Sequence, residues 1–250
     1  MQLQLSGLVA FLLALARSTG FVMMALPFAS PLVPKTVQAG IAAALALGMV
    51  HVASSTALPL DSSVAFIAEL IIQALMGALL GFMVTVFVNT AQSAGSVLGL
   101  FGGFSPPPSM DPLGLNQVTA FGQFYELLAV TLLFSSGGDT IVVGGLVRSM
   151  GTSAITNPNL GLDVVVKGVT IFFGAAFQIA VPVLAVMFLS QIVLGVLVKV
   201  APQLNAMMFA YPLQILLSLV LIFLSLALLP AILSEGLRYA FIAERDLVGG

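Results

Sequence analysis

The sequence predicts an all-α integral membrane protein, an assembly subunit built of helical hairpins with about six long apolar segments. Three observations carry this reading. Hydrophobic residues make up 60% of the 250-residue chain and charged residues only 6%, against roughly 25% charged in a soluble domain. Charge-free runs cover residues 1–16, 18–34, 36–60, 70–110, 168–198 and 200–234, and a membrane helix needs about 20 mainly apolar residues. The runs also lack the period-2 alternation of a membrane barrel and are too long for strands. With a mean hydropathy of +1.20, lipid or other apolar subunits must cover much of the exterior, because a folded monomer in water needs polar groups outside.

Taken in order, the expected spans are about 5–30, 37–53, 64–103, 118–148, 164–199 and 206–233. The first carries no charge before Arg17, so the basic leader of a cleavable signal is missing and the segment is read as part of the mature fold. The second ends at the single His51. The third is too long for one simple crossing: 41 residues from Leu70 to Met110 are uncharged, roughly 60 Å as a helix, twice the hydrocarbon thickness. A bent helix, a hairpin, or a helix continuing beyond the bilayer inside an assembly would each use that length. The fourth span contains the polar step Ser135-Ser136-Gly137-Gly138-Asp139-Thr140. The last two are expected to form a C-terminal hairpin over about 164–233. Lys35 and Lys199 on one side against Arg148, Lys167, Arg238 and Arg245 on the other place both ends in the cytoplasm by the positive-inside rule.

Small residues recur at four-residue spacing in the third span: Gly77 and Gly81, then Ala91, Gly95, Gly99 and Gly103. Such residues share one helix face and let a neighbouring backbone approach closely. The face can serve packing within the chain or docking onto other subunits. Between the third and fourth spans runs Gly102-Gly103-Phe104-Ser105-Pro106-Pro107-Pro108-Ser109-Met110-Asp111-Pro112-Leu113-Gly114-Leu115-Asn116. Three successive prolines cannot continue a helix. The apolar tips Phe101, Phe104, Met110, Leu113 and Leu115 are unlike those of an ordinary surface loop. It is either a passive connector or a loop that fills a pore or seals a subunit junction.

Several function classes are excluded. A net charge of −2 offers no basic field for nucleic acid. The chain has no cysteine, hence no disulfide, thiolate chemistry or cysteine metal site, and one histidine rules out multi-histidine sites. No catalytic constellation or phosphate-binding loop of the Gly-Lys-Ser/Thr type occurs, so no enzyme activity, cofactor or metal is expected. Arg17, Glu69 and Glu126 lie in or near spans and are functional candidates because charge is costly in hydrocarbon. Arg17 and Glu126 can pair with each other or with another chain. A solute permease or ion-coupled carrier would place such groups at the midplane, and this is the reading from a different class.

Two blocks carry a family resemblance. The first is Gly77-xxx-Gly81-Phe82, then Ala94-Gly95, Gly103-Phe104-Ser105, Asp111-Pro112 and Phe124-Tyr125-Glu126-Leu127-Leu128-Ala129. The second is Ala201-Pro202-Gln203-Leu204-Asn205, followed by Phe209-Ala210-Tyr211-Pro212-Leu213-Gln214. Together they resemble the FliR family of flagellar export-gate subunits, which includes the SctT proteins of virulence injectisomes. The chain departs from the family pattern at Phe101, where glutamine is usual, and at Gln214, where lysine is common.

The resemblance implies a structural, pore-forming subunit of the flagellar type III export gate in the inner membrane, at the flagellar basal body, with the injectisome gate as the alternative. It implies FliP and FliQ as companions, FlhA and FlhB as further partners, and unfolded flagellar proteins as substrates. It further implies one export-gate domain over 1–250, helical hairpins that do not simply cross the bilayer, and a plug formed by residues of about 101–117. Phe101, Phe104, Met110 and Leu113 are the plug and gating candidates, with Gly102, Gly103 and Gly114 as hinges. Gly77, Gly81, Ala91, Gly95 and Gly99 are candidates for helix and subunit packing. Arg17, Glu126, Gln203 and Asn205 are candidates for polar contacts between subunits.

Overall fold

A computed structural model describes residues 2–30, 33–54, 63–102, 104, 119–150, 158–200, 206–227 and 230. The described residues form seven helices and no strand: α1 (Gln2–Met24), α2 (Lys35–Ser54), α3 (Ser63–Phe101), α4 (Ala120–Ser135), α5 (Gly138–Ser149), α6 (Pro158–Val200) and α7 (Ala206–Leu226). The chain is all-α, as the charge-free runs predict. Three helices, among them the whole of α3, are long and apolar enough to cross a membrane, and a fourth span results if the bent α4–α5 pair counts as one.

The chain divides into two compact units. One draws on Met1–Phe87 and Leu133–Thr170, the other on Val88–Leu132 and Ile171–Gly236.

In the first unit, α1 buries Ala10, Leu13, Ala14, Arg17, Ser18, Phe21 and Val22, with Ala25 buried just past its end, a stripe with the three- and four-residue steps of one helix face. It packs against α2, whose buried Ala42, Ala46, Met49 and Ala53 repeat the same spacing. The first span ends at Met24 rather than near residue 30, because Pro27, Pro31 and Pro34 remove donors and disfavour helical geometry in the residues before them. Thr85 of α3 satisfies the frayed end: its hydroxyl accepts the Leu26 N–H at 3.0 Å and donates to the Met24 carbonyl. Directly after Pro34, α2 begins. Gln38 folds back to donate to the Val33 carbonyl at 3.2 Å and accepts from Lys35 at 3.1 Å.

α3 is one continuous helix of 39 residues, about 58 Å long at 1.5 Å per residue. A hairpin is thereby excluded for this stretch. One buried face runs along it through Gln73, Gly77, Gly81, Val84, Phe87/Val88, Ala91, Ala94/Gly95 and Leu98/Gly99.

The expected span 118–148 is two helices. The chain breaks at Ser136–Gly137 and the pair bends by 71°. Gly137 adopts φ 73, ψ 15, a left-handed conformation that a side chain disfavours. Asp139 follows in the first turn of α5, where the helix dipole favours a negative charge.

In the second unit, α4 opens on Thr119, whose hydroxyl accepts the Gly122 N–H at 2.9 Å, the usual N-cap contact. Gly122, Tyr125 and Ala129 form its buried face. On α6 only Ala180, Val183 and Met187 are buried among the described side chains, and on α7 only Ser218, Ile222 and Ser225. Phe173, Phe177, Phe188 and Val193 on α6, and Leu213, Leu216 and Phe223 on α7, are exposed apolar groups. Patches of this kind require lipid or protein against them.

Candidate functional site

In the first unit, backbones meet at glycines. A Cβ on Gly77 would collide with the Arg17 carbonyl. One on Gly81 would lie 2.5 Å from the Phe21 carbonyl oxygen. Gly20 of α1 returns the contact: its Cβ would strike the Ala74 carbonyl. Three glycines thus let α1 and α3 touch backbone to backbone, which in an apolar medium maximises van der Waals contact. The Gly77/Gly81 face is therefore filled from within the chain. Sequence reasoning missed Gly20 as a partner, although Ala16 four residues before it gives the same small-residue spacing.

Arg17 passes through this contact fully buried. Its Nη1 donates to Ser149 Oγ of α5 at 2.9 Å, and Ser149 in turn donates to the Leu146 carbonyl at 2.7 Å. Glu69 of α3 is the carboxylate within electrostatic reach of the guanidinium. It is held by Gln73, whose Nε2 donates to Glu69 Oε1 at 2.6 Å. Arg17 Nε and Nη2 and Gln73 Oε1 are buried without a hydrogen-bond partner among the described residues. A cation in such a place needs nearby negative charge and acceptors.

The second unit repeats the device. Ala91 is buried, and Gly95 and Gly99 face α4: added Cβ atoms would sit 2.6 Å from the Phe121 carbonyl oxygen and 2.8 Å from Thr119 Oγ1, respectively. Gly122 answers from α4, where a Cβ would meet Ser96 Oγ. Beside this crossing, Gln92 Nε2 donates to Glu126 Oε2 at 2.5 Å. Arg17 and Glu126 thus each have a partner inside their own unit. Tyr125, fully buried, shares a 2.5 Å hydrogen bond with Ser225 of α7.

The C-terminal end of α3 is the stem of the proline-rich segment. Phe101 is half exposed. Gly102 is buried, with its N–H on the Leu98 carbonyl at 2.8 Å. A Cβ there would come within 3.0 Å of Phe104 Cδ2 and 3.1 Å of Ser218 Cβ, so close approach, rather than a left-handed turn, accounts for this glycine. Phe104 donates its N–H to the Gly99 carbonyl at 3.0 Å and packs edge-on against Phe121, centroids 4.7 Å apart, a favoured aromatic geometry. From α7, Gln214 Nε2 donates to the Phe101 carbonyl at 2.7 Å. Ser218 Oγ lies 3.4 Å from the Gly102 carbonyl oxygen, but its nearer acceptor is the Ile215 carbonyl at 2.8 Å.

Gly103, Met110, Leu113, Gly114, Gln203 and Asn205 lie outside the described residues. Sequence reasoning missed Ser149, Gln73 and Gln92, and named Gln214 only as a departure from the family pattern, without a role. The signal available for the three glutamines was an amide inside an otherwise apolar span. Ser149 carried none. Among the described residues no group of three or more His, Asp or Glu could hold a metal ion.

Two close-packed glycine crossings, polar groups paired inside the apolar layers, and an aromatic stem define a multi-pass helical membrane protein. The profile of the family described as bacterial export proteins, family 1, matches residues 8–239, and the chain belongs to that family. It is similar to the flagellar biosynthetic protein FliR of Aquifex aeolicus, 25% identical over 237 residues, which cover 94% of this chain and 92% of the relative. It is also similar to FliR of Bacillus subtilis, 27% identical over 182 residues and 70% of each chain. The surface presentation of antigens protein SpaR of Shigella flexneri is 24% identical over 151 residues, 60% of this chain and 59% of the relative. The family is the FliR/SctT family that the two sequence blocks resemble, and its members are components of type III secretion export gates rather than enzymes.

Proposed function

We propose that the chain is a structural, pore-forming subunit of the flagellar type III export gate in the bacterial inner membrane, at the flagellar basal body. In this reading it assembles with FliP and FliQ, works with FlhB and FlhA, and passes unfolded flagellar proteins. The observation that carries the reading is the match to the export family over residues 8–239. It is supported by the FliR relatives at 70% coverage or more and by the apolar exposed faces of α6 and α7, which suit burial against companions.

The mechanism follows from what such a pore must do. At rest it must stop ions and water while remaining able to admit an unfolded chain. A constriction lined by apolar side chains does so by dewetting. Phe101, Phe104, Met110 and Leu113 are the residues proposed to line it. Gly103 and Gly114 would let the backbone turn around the rigid prolines. In the export-gate reading Gln203 and Asn205 reach neighbouring subunits, because a buried amide left unpaired costs about 1–3 kcal/mol.

The test is genetic and biochemical. Deleting the gene should abolish secretion of flagellar proteins, and an affinity-tagged chain should copurify with FliP and FliQ from membranes. Normal flagellar secretion without the chain would refute the proposal. Secretion of virulence effectors alone would reassign it to an injectisome.

A further inference from the structure

We propose that Gln214 of α7 is a positioning residue for the pore seal: it fixes the carbonyl end of α3, the point from which the proline-rich segment departs. The inference rests on the seal reading given above. A helix leaves its last carbonyls without intrahelical donors. At the end of α3 the chain itself supplies few. The residue four beyond Gly102 is Pro106, and Pro106, Pro107 and Pro108 carry no N–H. The Phe104 N–H, three beyond Phe101, is taken by the Gly99 carbonyl at 3.0 Å.

The Phe101 carbonyl receives the side-chain amide of Gln214 at 2.7 Å, from 113 positions along the chain. The same stretch of α7 leans on the stem a second time, with Ser218 Cβ 3.1 Å from where a Gly102 Cβ would stand. Phe104 is braced from the other side by Phe121. The stem is therefore held between α4 and α7, and the hydrogen bond from Gln214 ties its last helical carbonyl to α7. An apolar seal depends on the placement of its side chains, so a stem free to fray would admit water.

The experiment uses the full chain in the assembled gate. Amide hydrogen exchange is followed at Gly102 and Phe104, and resting small-ion conductance is measured in the same membranes. Gln214→Leu, which keeps the bulk and removes the donor, should raise exchange at both amides about 2- to 10-fold, as expected for losing one ordinary hydrogen bond. It should also raise conductance. Gln214→Glu, ionised and without a donor, should do the same. Gln214→Lys, which keeps a donor, should match the parent in both measurements. Tyr125→Phe, which removes the α4–α7 bond to Ser225 without touching the stem, should leave stem exchange and conductance unchanged. That variant separates positioning from general loosening.

Unchanged exchange at Gly102 and Phe104 in Gln214→Leu would overturn the inference. So would raised exchange with parent-level conductance, if deletion of residues 105–110 does leak. If that deletion itself leaves conductance unchanged, the seal reading fails, and the inference about the seal fails with it even if exchange shows that Gln214 holds the stem.

Discussion

Gly77 stands where the carbonyl of Arg17 leaves no room for a methyl group. Gly77→Ala should therefore destabilise the protein by about 1–3 kcal/mol through overpacking, read as a lowered denaturation midpoint of the purified gate. Gly48, whose added Cβ would meet nothing within 4 Å, should accept alanine without such a loss. The buried bond from Arg17 to Ser149 involves a charged donor, and hydrogen bonds to charged groups contribute about 1.5–3 kcal/mol. Ser149→Ala should lower stability by that order in the same assay, while Ser149→Thr, which retains the hydroxyl, should lower it less. At this scale the sequence was half legible. The four-residue spacing of Gly77, Gly81, Gly95 and Gly99 announced close packing, and Arg17 and Glu126 announced themselves as charges among apolar residues. Their partners did not. Ser149 is 132 positions from Arg17, and no local pattern relates residues that only the fold brings together.

The α4–α5 break shows what helix-scale reasoning can and cannot read. The serines, glycines and aspartate of residues 135–139 marked a polar interruption, yet length alone favoured one span over 118–148. The left-handed φ of Gly137 turns an interruption into a 71° bend, and a single backbone dihedral is invisible to span counting. Because nothing lies within 4 Å of a Cβ at Gly137, substitution there tests conformation without steric clash. Gly137→Val should destabilise by about 1–2 kcal/mol and Gly137→Asn by distinctly less, since Asn tolerates that region. Denaturation of the two variants side by side checks the order. α3 gives the opposite lesson. Its length was evident from the missing charges, but whether it bent, folded back or continued depended on tertiary packing: one face of the helix stays buried from Gln73 to Gly99.

For the whole molecule, composition was the strongest guide. A chain with 16 charged residues in 250 has to place most of its surface against lipid or protein, and α6 and α7 display that surface as exposed phenylalanine, leucine and valine. What composition could not foretell is the grip on the end of α3 from α4 and α7. It depends on an amide from α7, a glycine just past α3, and an aromatic pair joining Phe104 to Phe121 of α4. The central claim is that this family member closes a protein-export pore with apolar side chains at and beyond that stem. The most direct measurement is resting small-ion conductance of membranes containing the assembled gate, with and without residues 105–110. The account predicts that the deletion makes a tight membrane leaky. A gate that assembles without those residues and remains tight would contradict it.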